Sequence, residues 1–196
     1  MLKRKRKMEF ILAQVFGGIA LAIVCVGYFL KSKGSFMITQ VVANVFYSLA
    51  FFVVGEFVGG SLVCVSIARC VYIYIAEKVN FKYMLHFLPI FIASYIALTG
   101  IFCGNAFDIM PLIASTIFTI GYVLKDLQKM RILLIFPNAI LVAYNILTTT
   151  YVSALLDFIE VIVIVVAILK FHFEAKKIEN RGQVDIRKVF DNIEKH

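Results

Sequence analysis

Three ionisable side chains lie inside apolar runs, where a chain this hydrophobic has least use for them. Arg69 falls within the run Ser61 to Ala76, and Asp157 and Glu160 stand three residues apart in the run Val152 to Phe171. A guanidinium facing hydrocarbon costs at least ~2.5 kcal/mol on insertion scales, so Arg69 must face protein or a water-filled cleft. There it suits recognition of an anionic or carbonyl-bearing solute. Two carboxyls one helical turn apart share a face, and suit the entrance of a polar pathway or the carriage of a coupling proton. The plainer alternative is a salt bridge between the basic and acidic runs that locks two groups of helices together.

Asn44, Asn138 and Asn145 also lie inside apolar runs, where an unpaired amide is costly. Hydrogen bonding between helices is the first expectation for them, and lining of a solute cleft is the second. Pro137 precedes Asn138 and frees a backbone carbonyl one turn back, which bends the run or exposes a ligand group; Pro89 and Pro111 invite the same reading. His86 and Gln14 are lone polar groups that pack or reach the membrane surface. Catalysis finds no motif: there is no HExxH, no GxSxG and no clustered His or Cys. Cys25, Cys64, Cys70 and Cys103 lack metal spacing and read as apolar filler. Neither an enzyme, a metal site nor a cofactor is expected.

These residues are positioned by seven apolar stretches: Phe10 to Leu30, Phe36 to Val54, Ser61 to Ala76, Met84 to Phe102, Ile109 to Leu124, Ile132 to Leu147 and Val152 to Phe171. Each approaches the length needed to cross a bilayer. With 62% hydrophobic residues, 16% charged residues and a mean hydropathy of +0.92, the chain has no room for a soluble catalytic domain. The predicted class is an all-α polytopic membrane protein. Its net charge of +8 comes mainly from Lys and Arg in alternate gaps and at the two ends, which fits lipid headgroups rather than nucleic acid.

Lys31, Lys33, Lys78, Lys82, Lys125, Lys129, Arg131, Lys170, Lys176 and Lys177 share one side, whereas the gaps 55–60, 103–108 and 148–151 hold no Lys or Arg and carry Glu56 and Asp108. The positive-inside rule therefore places the N-terminus outside and the C-terminus in the cytoplasm. The five basic residues from Lys3 to Lys7 oppose this, unless Met8 is the true start. Phe10 to Leu30 lacks a small-x-small cleavage site and reads as a first span rather than a signal peptide. Residues 1–177 form the membrane domain, and 178–196 a polar tail that is either a short amphipathic helix or disordered.

A shift of 94 residues lays Gly27-Tyr28-Phe29-Leu30-Lys31 over Gly121-Tyr122-Val123-Leu124-Lys125, Ala20 over Ala114, and Asn44 over Asn138. Residues 10–76 then repeat as 109–171, with 84–102 as a linker that restores a parallel orientation. This is a 3+1+3 plan, two three-helix bundles joined by one helix, of the kind that rocks around a central site in transporters. The same shift sets Glu160 over Ser66, one turn from Arg69.

Gln14-x-x-Gly17, Gly60 followed by Ser66-Ile67-Ala68-Arg69, and Tyr144-Asn145 followed by Asp157 resemble the YgjV family of bacterial inner-membrane proteins, over most of the chain to about Lys177. The resemblance implies a relation to the SWEET, PQ-loop and PnuC group, whose bundles are joined as 3+1+3. It matches Arg69 to the family's arginine, Asn145 to its asparagine and Asp157 to an acidic position usually held by Glu. Ser66 stands where the family tends to have Asn, and Ile164 and Ala167 stand at positions often polar. The leading expectation is a carrier of a small polar solute in the bacterial inner membrane, with Arg69, Ser66, Asn44, Asn138, Asn145, Asp157 and Glu160 as the solute site. The alternatives are a scaffold or receptor that binds lipid or a protein partner, and the substrate-binding subunit of a larger transporter. Self-association into a homo-oligomer fits any of the three.

Overall fold

The polar breaks in the sequence are where the chain turns. The structure, a computed structural model, describes residues 2–55, 57–79, 87–102, 106–148 and 150–193. Among the described residues there are seven α-helices and no strand: α1 (Leu2–Tyr28), α2 (Lys33–Val53), α3 (Phe57–Lys78), α4 (Leu88–Phe102), α5 (Ile109–Val123), α6 (Leu127–Leu147) and α7 (Tyr151–Ile193). Glu56, Lys82, His86 and Cys103 lie outside the described residues.

Local chemistry accounts for the ends. Gly55 takes the sharp turn between α2 and α3 at φ +82°, a backbone conformation that a side chain would strain. The Asp126 carboxylate accepts the Gln128 and Lys129 amides at 2.8 and 3.3 Å and caps α6. Pro89 and Pro111 fall in the first turns of α4 and α5, where a missing N–H costs nothing, so they start helices rather than bend them. Pro137 alone sits inside a helix. One residue on, the Asn138 side chain donates to the Leu134 carbonyl at 2.9 Å.

Four helices contain stretches long and apolar enough to cross a membrane: Met8–Tyr28, Lys33–Val53, Gly59–Lys78 and Leu127–Leu147. The third and sixth runs, short by sequence, extend to 22 and 21 helical residues because the residues flanking them continue the helix. At 15 residues, α4 and α5 are shorter, about 22 Å at the rise of an α-helix. The longest helix, α7, has 43 residues and carries the polar tail forward as one helix instead of a separate element. Large apolar side chains such as Phe10, Ile38, Ile75, Phe136, Phe158 and Val166 point outward, the inverse of a water-soluble surface and the expected face toward lipid.

The middle helix of each half carries the closest packing. α2 packs closely against both α1 and α3, and α6 against both α5 and α7. Lighter contacts join α1 to α7 and α3 to α5, while α4 touches α3 and α5. The core is a seam of Ala20, Val24, Tyr28, Phe36, Met37, Ile73, Tyr122, Leu134 and Ile164 drawn from both halves. α1 and α5 also end on matching turns, with the Leu30 amide bonded to the Gly27 carbonyl and the Leu124 amide to the Gly121 carbonyl, both at 3.1 Å. The five-residue match thus shares one turn hydrogen bond, although α5 runs one residue further in the matched register, to Val123.

Candidate functional site

The polar residues singled out by sequence fall into two separate clusters rather than around one cleft. The first is basic and lies where α3, α4 and α5 meet. Arg69, 3% exposed, donates from Nη1 to the Ser115 carbonyl at 3.0 Å and to Thr119 Oγ1 at 2.8 Å. Its guanidinium carbon lies 5.0 Å from the centre of the Tyr122 ring and 5.6 Å from that of Tyr95. Both rings present electron-rich faces that partly replace the lost hydration. Ser66, one turn away on α3, shares a 2.8 Å hydrogen bond with the Tyr95 hydroxyl. The Tyr122 hydroxyl, on the far side of this group, donates to Gln40 Oε1 on α2 over a long 3.4 Å.

Among the described residues, two buried donors in this cluster have no acceptor. Arg69 Nε and Gln40 Nε2 are both without a hydrogen-bond partner. Each such buried group costs about 1–3 kcal/mol, and native proteins hold few of them.

The second cluster is acidic and lies where α1, α6 and α7 meet. The buried Glu160 accepts a 2.7 Å hydrogen bond from the Tyr28 hydroxyl at Oε1. Asn138, buried on α6, lies close enough to interact with both Tyr28 and Glu160. One turn away, Asp157 Oδ2 accepts 2.6 Å from Asn145 Nδ2, and Asn145 Oδ1 in turn accepts 2.8 Å from Thr150. These carboxylates are therefore held by neutral donors.

The expected charge pair between Arg69 and Glu160 is not formed: among the described residues no ion pair joins Arg69 to either carboxylate. Arg69 is turned toward α5, and Glu160 toward α1. Between the clusters stands Phe36, with ring centres 5.4 Å from Tyr28 and 6.1 Å from Tyr122. Asn44 is half-buried on α2 and makes no hydrogen bond among the described residues, so it joins neither group.

Sequence reasoning missed four of the residues that build these clusters: Tyr28, Tyr122, Tyr95 and Gln40. The signal for two was present, because Tyr28 and Tyr122 are the tyrosines of the repeated five residues. It also placed Arg131 among the cations of a membrane-surface gap, whereas the side chain is 1% exposed. Its Nη2 donates 2.6 Å to the Leu30 carbonyl, and its guanidinium stacks 4.2 Å over the Phe171 ring. Beside it Lys31 bonds Glu174 at 3.0 Å, which holds that exposed carboxyl below its usual pKa range. Together these contacts clamp the turn after α1 to α6 and α7.

Comparison with known proteins gives one match. The family model Imp-YgjV, described as bacterial inner membrane protein, covers residues 11–175. No curated protein and no solved structure matches the chain.

Proposed function

The chain belongs to the Imp-YgjV family of bacterial inner membrane proteins, and we propose that it is a carrier of a small polar solute. The observation that carries this reading is the separation of charge. Arg69 is buried in a membrane helix with no carboxylate beside it, while Glu160 and Asp157 are buried elsewhere on neutral partners. A purely structural lock would bring these groups together and spend their charge, because burying an unpaired ion is costly. Kept apart, Arg69 anchors the solute with Ser66 beside it. Asp157 and Glu160, fixed by Asn145 and Asn138, serve as the entrance or coupling group.

The moving parts in this reading are α1–α3 and α5–α7, with α4 as the link, a 3+1+3 plan like that of the SWEET, PQ-loop and PnuC group. Its support is the close packing of each middle helix on both neighbours, the lighter contact between halves, and the shared turn hydrogen bond at the ends of α1 and α5. All seven helices then cross the membrane, with the N-terminus outside and the basic gaps in the cytoplasm. The Arg131, Phe171, Lys31 and Glu174 clamp lies at that cytoplasmic end and must open for release there.

The second reading, a scaffold or receptor for lipid or a protein partner, draws on α7. It runs 22 residues past Phe171 to Ile193, about 33 Å of helix, more than a carrier needs. Flux into proteoliposomes decides between them, with a panel of vitamins, sugars, nucleosides and carboxylates as candidate solutes. The carrier reading expects a solute whose flux is lost in folded Arg69→Ala and kept when the chain is cut after Lys177. Flux absent for the whole panel, with a partner captured only by the uncut chain, would favour the scaffold.

A further inference from the structure

We propose that α2, α3 and α5 enclose a carboxylate-binding site in which Arg69 Nε and Gln40 Nε2 donate to the two oxygens of the ligand. Both donors are at least nine-tenths buried and have no acceptor among the described residues. Both border the same side chain: the Gln40 amide meets the Tyr122 hydroxyl, and the Arg69 guanidinium lies over the Tyr122 ring. Arg69 Nη1 is occupied by the Ser115 carbonyl and Thr119, which fixes the plane of the fork and leaves the Nε edge free. The guanidinium carbon lies over the Tyr95 and Tyr122 rings, and a carboxylate that meets arginine in its plane makes the strongest of its hydrogen bonds.

Charge and geometry narrow the ligand class. One cation without a protein counter-charge calls for one negative charge. Two donors beside one tyrosine, one charged and one an amide, suit a group with two acceptor atoms. A neutral amide or sugar hydroxyl can accept from Gln40 but leaves the Arg69 charge unbalanced. The Tyr122 hydroxyl is the third contact; its long bond to Gln40 is easily exchanged for a shorter one to the ligand.

The proposal names the solute class of the carrier reading and relies on that reading only for the route of entry; binding stands or falls separately. The test titrates the purified full chain in detergent with acetate, propionate, lactate and benzoate, each beside its amide and beside chloride and phosphate, and reads affinity by calorimetry and by melting temperature. At least one carboxylate should bind, its amide should not, and Gln40→Leu and Arg69→Ala should each weaken it at least tenfold. Gln40→Glu places a carboxylate where the ligand would sit, and should abolish binding while raising the melting temperature of the ligand-free protein. Should Arg69→Ala fail to fold, Arg69→Lys keeps the charge without the Nε edge and is expected to lose at least tenfold in affinity.

The proposal is overturned if no carboxylate binds, if amides or chloride bind equally well, or if binding survives Gln40→Glu. Carboxylate binding without flux would sink the carrier and leave the site; flux of a neutral solute through a protein that ignores carboxylates would do the reverse.

Discussion

Tyr28 and Tyr122 hold the same place in the two halves of the sequence, 94 residues apart, and meet opposite charges. In the first half the hydroxyl closes a 2.7 Å bond onto the Glu160 carboxylate. In the second the ring lies 5.0 Å from the Arg69 guanidinium, and the hydroxyl reaches a neutral amide at 3.4 Å. The acidic cluster therefore holds its carboxylates with donors from its own chain, while the basic cluster keeps donors in reserve. Two tyrosines at matching positions of the sequence thus serve clusters with different electrical tasks. The acidic cluster is suited to holding a proton or structural charge, the basic cluster to taking a ligand.

The largest effect is expected at Arg131, whose counterpart in the first half is Met37. Arg131 holds the Leu30 carbonyl, so the turn after α1 is pinned by a charge-assisted bond. Replacing it as Arg131→Met makes the halves alike at this position. Loss of that bond and of the stacking on Phe171 should cost about 2–3 kcal/mol of stability, read as a lower melting temperature in detergent. It should also raise labelling of a cysteine placed at Lys31. An unchanged midpoint would mean that freeing the guanidinium from burial offsets its contacts, and the clamp would lose its meaning as a closed gate.

Gly27 and Gly121 sharpen the comparison at the next level. A Cβ at Gly27 would lie 2.4 Å from Thr39 Oγ1 and 3.3 Å from Thr39 Cβ, whereas at Gly121 its nearest neighbour is the end of the Leu134 side chain at 3.1 Å. The Thr39 hydroxyl is itself tied to the Phe36 carbonyl at 2.7 Å and cannot simply turn away. Gly27→Ala should therefore cost about 2 kcal/mol by overpacking, and Gly121→Ala under about 1 kcal/mol. Equal costs in thermal melts would show that α1 and α2 adjust as freely as α5 and α6, and that the closer approach at Gly27 carries no extra cost.

How much of this was legible follows from what a hydropathy pattern can carry. The helical class, the turns at Gly55 and at the end of α1, and the polar ends of α7 follow from apolar length and from glycine and charge in the gaps. The pairing of Asn145 with Asp157 was not foreseen as such, yet both were marked because an amide and a carboxyl inside an apolar run must find partners. Orientation about a helix axis is what the pattern lacks. A salt bridge between Arg69 and Glu160 is one of the two alternatives that the sequence leaves open, because Ser66 and Asp157 mark a polar face on each helix without saying which neighbour that face meets. Tyrosine is harder still, being at home at a membrane surface and in a core. The five-residue match contains Tyr28 and Tyr122, and only their positions in space show the Tyr28 hydroxyl on a carboxylate and the Tyr122 ring beside a guanidinium. Arg131 was hidden for a related reason: near a helix start, a cation that reaches water and one that folds back onto a carbonyl look the same.

The smallest effect tests the two tyrosines directly. Tyr28→Phe removes a short bond to a buried carboxylate, leaving Glu160 with Asn138 beside it; hydrogen bonds within membrane proteins average less than 1 kcal/mol, and a charged acceptor raises that. The expected loss is about 1–2 kcal/mol. Tyr122→Phe removes only the 3.4 Å bond to Gln40 and keeps the ring over Arg69, so its loss should be below about 0.5 kcal/mol. The order should invert in ligand binding, where Tyr122→Phe weakens carboxylate affinity several-fold and Tyr28→Phe leaves it unchanged. Both readouts come from the same melting curves, taken with and without acetate or benzoate. If the two variants instead lose stability equally and bind equally, the tyrosines are interchangeable ring packing. The electrical division between the clusters would then rest on Arg69 and Glu160 alone.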